Sequence, residues 1–193
     1  MEIRILTEAE LANAAGLSRY VFDNCLRNRM EFVQTAAFVE NYLKLENLTN
    51  LCAEGKLTVW GVWEKEQMVG VSGLQSDGMI TMLYILPQCW KRGYGNVLLA
   101  AMREFAKNTY GMQRVLVNAT PAWTSTYFTR KGFAYMQPHQ NMHVPFVSMC
   151  ATTNDAQIFQ KKRVSGKVIG LAIAGCFLFA TIAGIAFLIS YVL

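Results

Sequence analysis

The chain has 193 residues, a formal charge of +5 and an apolar fraction of 53%, a length that supports one domain of ordinary size. Lys161, Lys162, Arg163 and Lys167 cluster just before an uncharged C-terminal stretch and the remainder is close to neutral, which argues against a nucleic-acid-binding patch. Five widely spaced cysteines without a C-x-x-C pair argue against a disulfide framework or a zinc site.

Glu2 to Leu6 alternates and reads as a first strand. Thr7-Glu-Ala-Glu10 fits a capping box, with Thr7 as N-cap and Glu10 at the third helical position. A helix is expected from there towards Asn28, with Leu17, Val21, Phe22 and Cys25 at helical spacing. A second helix is expected over Gln34 to Cys52, with Phe38, Tyr42 and Leu45 on one face. Leu57 to Glu64 reads as a strand, Glu64-Lys-Glu-Gln67 as a hairpin turn and Met68 to Leu74 as the returning strand. Ser76-Asp-Gly78 turns the chain into a third consecutive strand, Met79 to Leu86.

Pro87 ends that strand and a basic glycine loop follows, Gln88-Cys-Trp-Lys-Arg-Gly-Tyr-Gly95. A helix is expected from Asn96 to about Thr109, stopped by Gly111. A glycine loop between a strand and a helix turns backbone N–H groups into one concavity, and the helix dipole adds positive potential there. The expected ligand is an anion, most often a phosphate or diphosphate. Lys91 and Arg92 add two cations. The loop is neither a Walker A motif nor G-x-G-x-x-G.

Arg114 to Ala119 reads as a strand, Trp123 to Arg130 as a short helix, and Phe133 to Gln137 with Val144 to Ala151 as a hairpin. His139 and His143 stand four apart, but Pro138 and Pro145 flank them, so no metal is expected. Thr152 to Gln160 is a mostly polar linker. The 26 residues Val168–Leu193 hold no charge. At about 1.5 Å per residue they exceed the roughly 30 Å bilayer core. This predicts a single transmembrane helix, with the basic flank and the N-terminal domain on the cytoplasmic side. No signal peptide is visible at the N-terminus. Bilayer lipid is thus an expected partner, the basic cluster favouring anionic headgroups. Gly166/Gly170 and Ala180/Gly184 have the small-xxx-small spacing that would let the span dimerise. The expected organisation is 1–151 folded domain, 152–167 juxtamembrane linker and 168–193 membrane helix. The expected fold class is α+β, a mixed and mostly antiparallel sheet flanked by helices.

Residues 1–151 resemble the GCN5-related N-acetyltransferase (GNAT) superfamily. Three segments carry the resemblance. They are Leu83-Tyr-Ile-Leu-Pro87 with Lys91-Arg-Gly-Tyr-Gly95-Asn-Val-Leu-Leu99, the hairpin Val59 to Gly73, and Tyr127-Phe-Thr-Arg-Lys-Gly-Phe133. The last is similar to the family's F-Y-x-x-x-G-F element. The resemblance implies acetyl-CoA as co-substrate. It implies that the amides of Lys91, Arg92, Gly93, Tyr94, Gly95 and Asn96 hold the pyrophosphate. It also implies that the backbone of Leu83, Tyr84 and Ile85 pairs with the pantetheine arm, one amide polarising the thioester carbonyl. Trp90, Phe128 and Pro121 depart from the family's usual Gln or Arg, Tyr and Asn.

Phe128 cannot protonate a leaving thiolate, so the sequence assigns no catalytic residue. Tyr84, Tyr127 and Asp77 are the leading candidates. Glu31, His139 and His143 are further base candidates, Tyr135 a further donor, and Cys89 a nucleophile candidate beside a helix dipole. The expected activity is transfer of acetyl from acetyl-CoA to an amine, on protein, lipid or small molecule, at the cytoplasmic membrane face. The alternative is a membrane-tethered acyl-CoA-binding or interaction module without catalysis. The stretches 7–53 and 133–151 show no strong acidic cluster, which disfavours a highly cationic acceptor.

Overall fold

A computed structural model describes residues 1–30, 33–136 and 146–154. The chain divides into two compact units, Met1–Phe159 and Gln160–Leu193, and every described residue belongs to the first. The expected membrane span, its basic flank, and Glu31, His139 and His143 lie outside the described residues. Among the described residues no helix is long and apolar enough to cross a membrane. Nor do three or more His, Cys, Asp or Glu side chains among them gather as a metal site would need.

Among the described residues seven strands form one sheet in the order β1-β2-β3-β4-β5-β7-β6. They are β1 (Glu2–Ile5), β2 (Leu57–Glu64), β3 (Gln67–Gln75), β4 (Met79–Ile85), β5 (Arg114–Ala119), β6 (Ala134–Tyr135) and β7 (Val147–Thr152). Every pairing is antiparallel except β4 with β5. The expected α+β, mostly antiparallel architecture is what forms. β2 and β3 are apolar almost throughout because they are buried on both faces. β4 alternates between buried and half-buried positions.

The capping box forms: a Glu10 carboxylate oxygen accepts the Thr7 amide at 2.9 Å. The helix beyond it is less regular than its spacing predicts. A 3-10 turn (Glu8–Glu10) leads into α1 (Leu11–Val21), a wide π turn (Phe22–Leu26) and a second 3-10 turn (Arg27–Arg29). Within the wide turn Phe22 stays fully buried, while Asp23 bonds both Arg19 and Arg27. Those two arginines also hold Glu40 on the next helix.

The single helix expected over Gln34 to Cys52 is in fact two, α2 (Val33–Tyr42) and α3 (Leu45–Ala53). Lys44 between them is extended, at φ −63 and ψ 138. The break lets Leu43 drop into the core at 3% exposure. Asn47 then donates to the Tyr42 carbonyl at 2.9 Å, replacing the partner that an ended helix loses.

α4 (Tyr94–Tyr110) starts two residues earlier than expected, because Gly93 at φ 90 is its N-cap. It ends as expected at left-handed Gly111, where the Met112 amide returns to the Ala106 carbonyl at 3.0 Å. It packs Leu98, Leu99, Met102 and Ala106 into the core against β2, β3, β4 and β5. A 3-10 turn (Ala122–Thr124) precedes α5 (Ser125–Thr129). β6 is shorter than the expected Phe133–Gln137 strand, since Phe133 turns into the core at 2% exposure.

Arg103 of α4 is buried at 2% exposure. Its guanidinium lies 4.8 Å from the Phe133 ring centre and donates to the Lys131 carbonyl at 2.7 Å. It therefore pins the turn after α5 to α4. Arg103→Ala should lower the unfolding free energy by about 2–4 kcal/mol, through lost packing and an orphaned carbonyl. Urea denaturation measures this. A loss below about 1 kcal/mol would show that the turn does not depend on Arg103.

Candidate active site

β4 pairs with β5 only through its first two residues, Met79 with Leu116 and Ile80 with Val117. Beyond that point they diverge. The divergence starts at a bulge: Gly73 of β3 faces Met82, but Leu74 faces Ile80, so Thr81 is the extra residue in β4. β4 stays on β3 to its end, where the Leu86 amide donates to the Val69 carbonyl at 2.9 Å. Backbone direction alternates along a strand. Tyr84 therefore turns its N–H and C=O towards β3, while Leu83 and Ile85 turn theirs to the open side. The Trp90 indole takes the Ile85 carbonyl at 2.7 Å. Of the three backbone positions expected to pair with a pantetheine arm, Leu83 and the Ile85 amide face the gap and Tyr84 does not.

The gap leads into the glycine loop. A 3-10 turn (Pro87–Cys89) buries Cys89, and Trp90 anchors the loop to the end of β4. Lys91 at φ 63 and Gly93 at φ 90 are both left-handed. Among the described residues this path leaves the amides of Lys91, Arg92, Gly93, Tyr94 and Gly95 without a backbone acceptor, whereas Asn96 and Val97 both donate to the Gly93 carbonyl. The loop thus offers five amides at a helix N-terminus, one residue short of the expected six. The two cations differ as well. Arg92 forms a fork with Glu64, its Nη1 donating to Oε2 at 2.8 Å and its Nη2 to Oε1. Lys91 is exposed and, among the described residues, joins no ion pair.

Gly95 has a steric reason to be glycine. A Cβ built there would lie 2.5 Å from the Tyr127 hydroxyl. That hydroxyl is buried and has no hydrogen-bond partner among the described residues. Burial pushes its pKa up to about 12, so it stays protonated. The Tyr127 ring meets Phe128 edge-on at 5.3 Å, and Phe128 meets Phe133 the same way. Phe128 is thus core, at 7% exposure, and its neighbour Tyr127 reaches the loop.

The other catalytic candidates separate from this site. Tyr84 is buried among core side chains, and burial pushes its phenol far above the ordinary value. Asp77 lies in the β3–β4 turn, at the opposite end of β4 from the loop, and its carboxylate accepts the Met79 amide at 2.9 Å. Tyr135 is exposed at 59%. One pair was not foreseen. Tyr42, the last residue of α2, donates to the Thr81 hydroxyl at 2.8 Å. Burial raises its pKa also. This puts two neutral hydroxyls at the bulge where β4 leaves β5. A separate recess of about 500 Å³, lined by Lys107, Met112, Arg114 and Asn154 among others, lies at the C-terminal end of α4. It is remote from the gap.

The model of the acetyltransferase (GNAT) domain family matches residues 21–153. The chain belongs to this family. As a member it is an acyl-CoA-dependent acetyltransferase. Its fold is similar to the PaiA N-acetyltransferase of Thermoplasma acidophilum in complex with coenzyme A, at 14% identity and a TM-score of 0.63, covering 79% of this chain and 99% of that one. A GCN5-related N-acetyltransferase of Rhodopseudomonas palustris gives 17% identity and 0.64, covering 78% and 94%. A spermidine N-acetyltransferase of Vibrio cholerae gives 14% and 0.52, covering 79% and 95%. At these identities the likeness shows the fold. No curated protein matches the chain.

The contact between Gly95 and Tyr127 makes a specific prediction for this acetyltransferase. Gly95→Ala should destabilise by about 1–3 kcal/mol through overpacking. Tyr127→Phe removes the opposing oxygen and should be neutral or stabilising alone. In the double variant most of the Gly95→Ala loss should return. Thermal and chemical denaturation of the four proteins measure it. An equal loss in both backgrounds would place the conflict elsewhere.

Proposed function

We propose that this protein is a membrane-anchored N-acetyltransferase. Acetyl-CoA lies with its pantetheine arm in the gap between β4 and β5 and its diphosphate on the amides of Lys91 to Gly95. The acceptor is an amine at the cytoplasmic face. The observation that carries the donor assignment is the loss of β4–β5 pairing after Ile80 and Val117, which leads directly to a loop of amides without a backbone acceptor among the described residues.

In the reaction the amine nitrogen attacks the thioester carbonyl carbon. The C–N bond forms, the C–S bond breaks, and coenzyme A leaves as a thiolate. The Leu83 and Ile85 amides on the open edge of β4 are placed to polarise the carbonyl. Tyr42 and Thr81 offer neutral hydrogen-bonding groups where the strands part. Phe128 carries no proton, and the Tyr127 hydroxyl is enclosed against Gly95. With no dedicated acid or base at the gap among the described residues, the nitrogen gives up its proton to solvent, the leaving thiolate takes one from solvent, and the site works by positioning and polarisation. The same feature favours a second reading, an acyl-CoA-binding module without turnover. Thiol release across an amine panel separates the two.

Donor binding is tested on the full chain in detergent. Coenzyme A should raise the melting temperature, and Gly93→Glu should remove the shift by placing a carboxylate at the loop. Gly93 has open space around its Cβ position but φ 90, so the variant should keep the fold at a cost of about 1–2 kcal/mol. An unchanged shift in Gly93→Glu would show that the loop is not the site.

The membrane assignment rests on the uncharged stretch Val168–Leu193 and the basic residues that precede it. Both follow the matched domain, which ends at residue 153. In sealed vesicles with the cytoplasmic face outward, added protease should digest the N-terminal domain. Protection of that domain would contradict the orientation, and recovery of the chain in the aqueous fraction would contradict the anchor.

A further inference from the structure

Arg92 stands in the diphosphate loop, yet its side chain does not point into the β4–β5 gap. Glu64 is the last residue of β2, and β2 lies on the far side of β3 from that gap. Arg92 reaches across the end of β3 to meet it. Both guanidinium Nη atoms engage both carboxylate oxygens. The guanidinium also lies 5.3 Å from the Tyr94 ring centre, so it is directed from two sides. Arg92 beside it holds the Glu64 carboxyl below the usual range, so the pair is ionised at neutral pH.

A planar guanidinium binds a phosphate with the same two-pronged geometry that it uses for a carboxylate. Glu64 therefore occupies the donors that Arg92 would give to a phosphate. The pair is also exchangeable. Its side chains are 48% and 36% exposed, and ion pairs that open to water are weak. A polyanion seated on the adjacent amides could draw Arg92 away from Glu64 at small cost.

We propose that Glu64 competes with the donor's phosphates for Arg92, and so sets the affinity of the site for the thioester donor. The inference rests on the reading of the loop as the diphosphate site. In this account Glu64 is a positioning residue that touches no substrate. It weakens binding of acetyl-CoA and of the coenzyme A product alike, without a role in the chemical step.

Titration calorimetry of the full chain with coenzyme A tests this. Glu64→Gln should lower Kd by about two- to fivefold, the range expected for release of one exposed ion pair, and should steepen the salt dependence. Glu64→Asp, whose shorter side chain withdraws from Arg92, should shift Kd in the same direction. With any accepted amine, KM for acetyl-CoA should fall while kcat stays within about twofold, since the interaction is not specific to the transition state. KM for acetyl-pantetheine, which has no diphosphate, should not move. In an Arg92→Gln background the gain from Glu64→Gln should vanish. Unchanged or weaker binding in Glu64→Gln overturns the proposal. So does a gain that persists without Arg92, because that would be a general charge effect. Failure of the wild-type chain to bind coenzyme A would instead overturn the loop assignment on which the proposal stands.

Discussion

The site depends on one constraint: β4 must leave β5 without leaving β3. The bulge at Thr81 meets it. One extra residue redirects β4 after Ile80, while pairing with β3 continues to the last strand residue and through Leu86. The Leu83 backbone groups and the Ile85 amide then face open space inside a continuous sheet, the Ile85 carbonyl being held by Trp90. Unpaired main chain in such a place is costly unless something satisfies it, and an extended ligand with amide groups of its own is a natural partner. The loop follows within two residues of the strand's end, so an edge and an anion cradle are built from one short stretch of chain.

Packing behind the loop fixes its form. Trp90 closes on the Ile85 carbonyl, Gly93 starts α4 in a left-handed conformation, and Gly95 lets the Tyr127 hydroxyl approach the helix. Arg103 holds the turn that follows Tyr127 against the same helix. The two aromatic neighbours take opposite tasks. Phe128 fills the core and Tyr127 fills the space under the loop. Among the described residues, the donor site thus combines well-defined amides with little acid–base apparatus.

Much of this was legible from residue order. Strong local signals gave the strands at Leu57, Met68, Met79 and Arg114, the Thr7–Glu10 box and the Gly111 stop. The glycine loop was recognisable because its neighbours were a strand and an apolar helix. What was missed depends on three-dimensional accounting. The break at Lys44 contains neither proline nor glycine, and it arises because Leu43 is worth more inside the core than on a helix surface. Asn96 looked like another loop amide, but α4 begins at Tyr94 and consumes its N–H. Arg92 read as a cation for phosphate, and nothing in the sequence joined it to Glu64, 28 residues earlier. The Tyr42–Thr81 contact spans 39 residues and depends on a bulge that strand periodicity does not reveal.

Amide hydrogen exchange of the full chain, with and without coenzyme A, addresses the central claim most directly. The account predicts that the ligand slows exchange at Leu83, Ile85 and Lys91 to Gly95. Amides lining the recess at Met112 to Arg114 should not change. Protection confined to the recess, or absent from β4 and the loop while coenzyme A is bound, would contradict it.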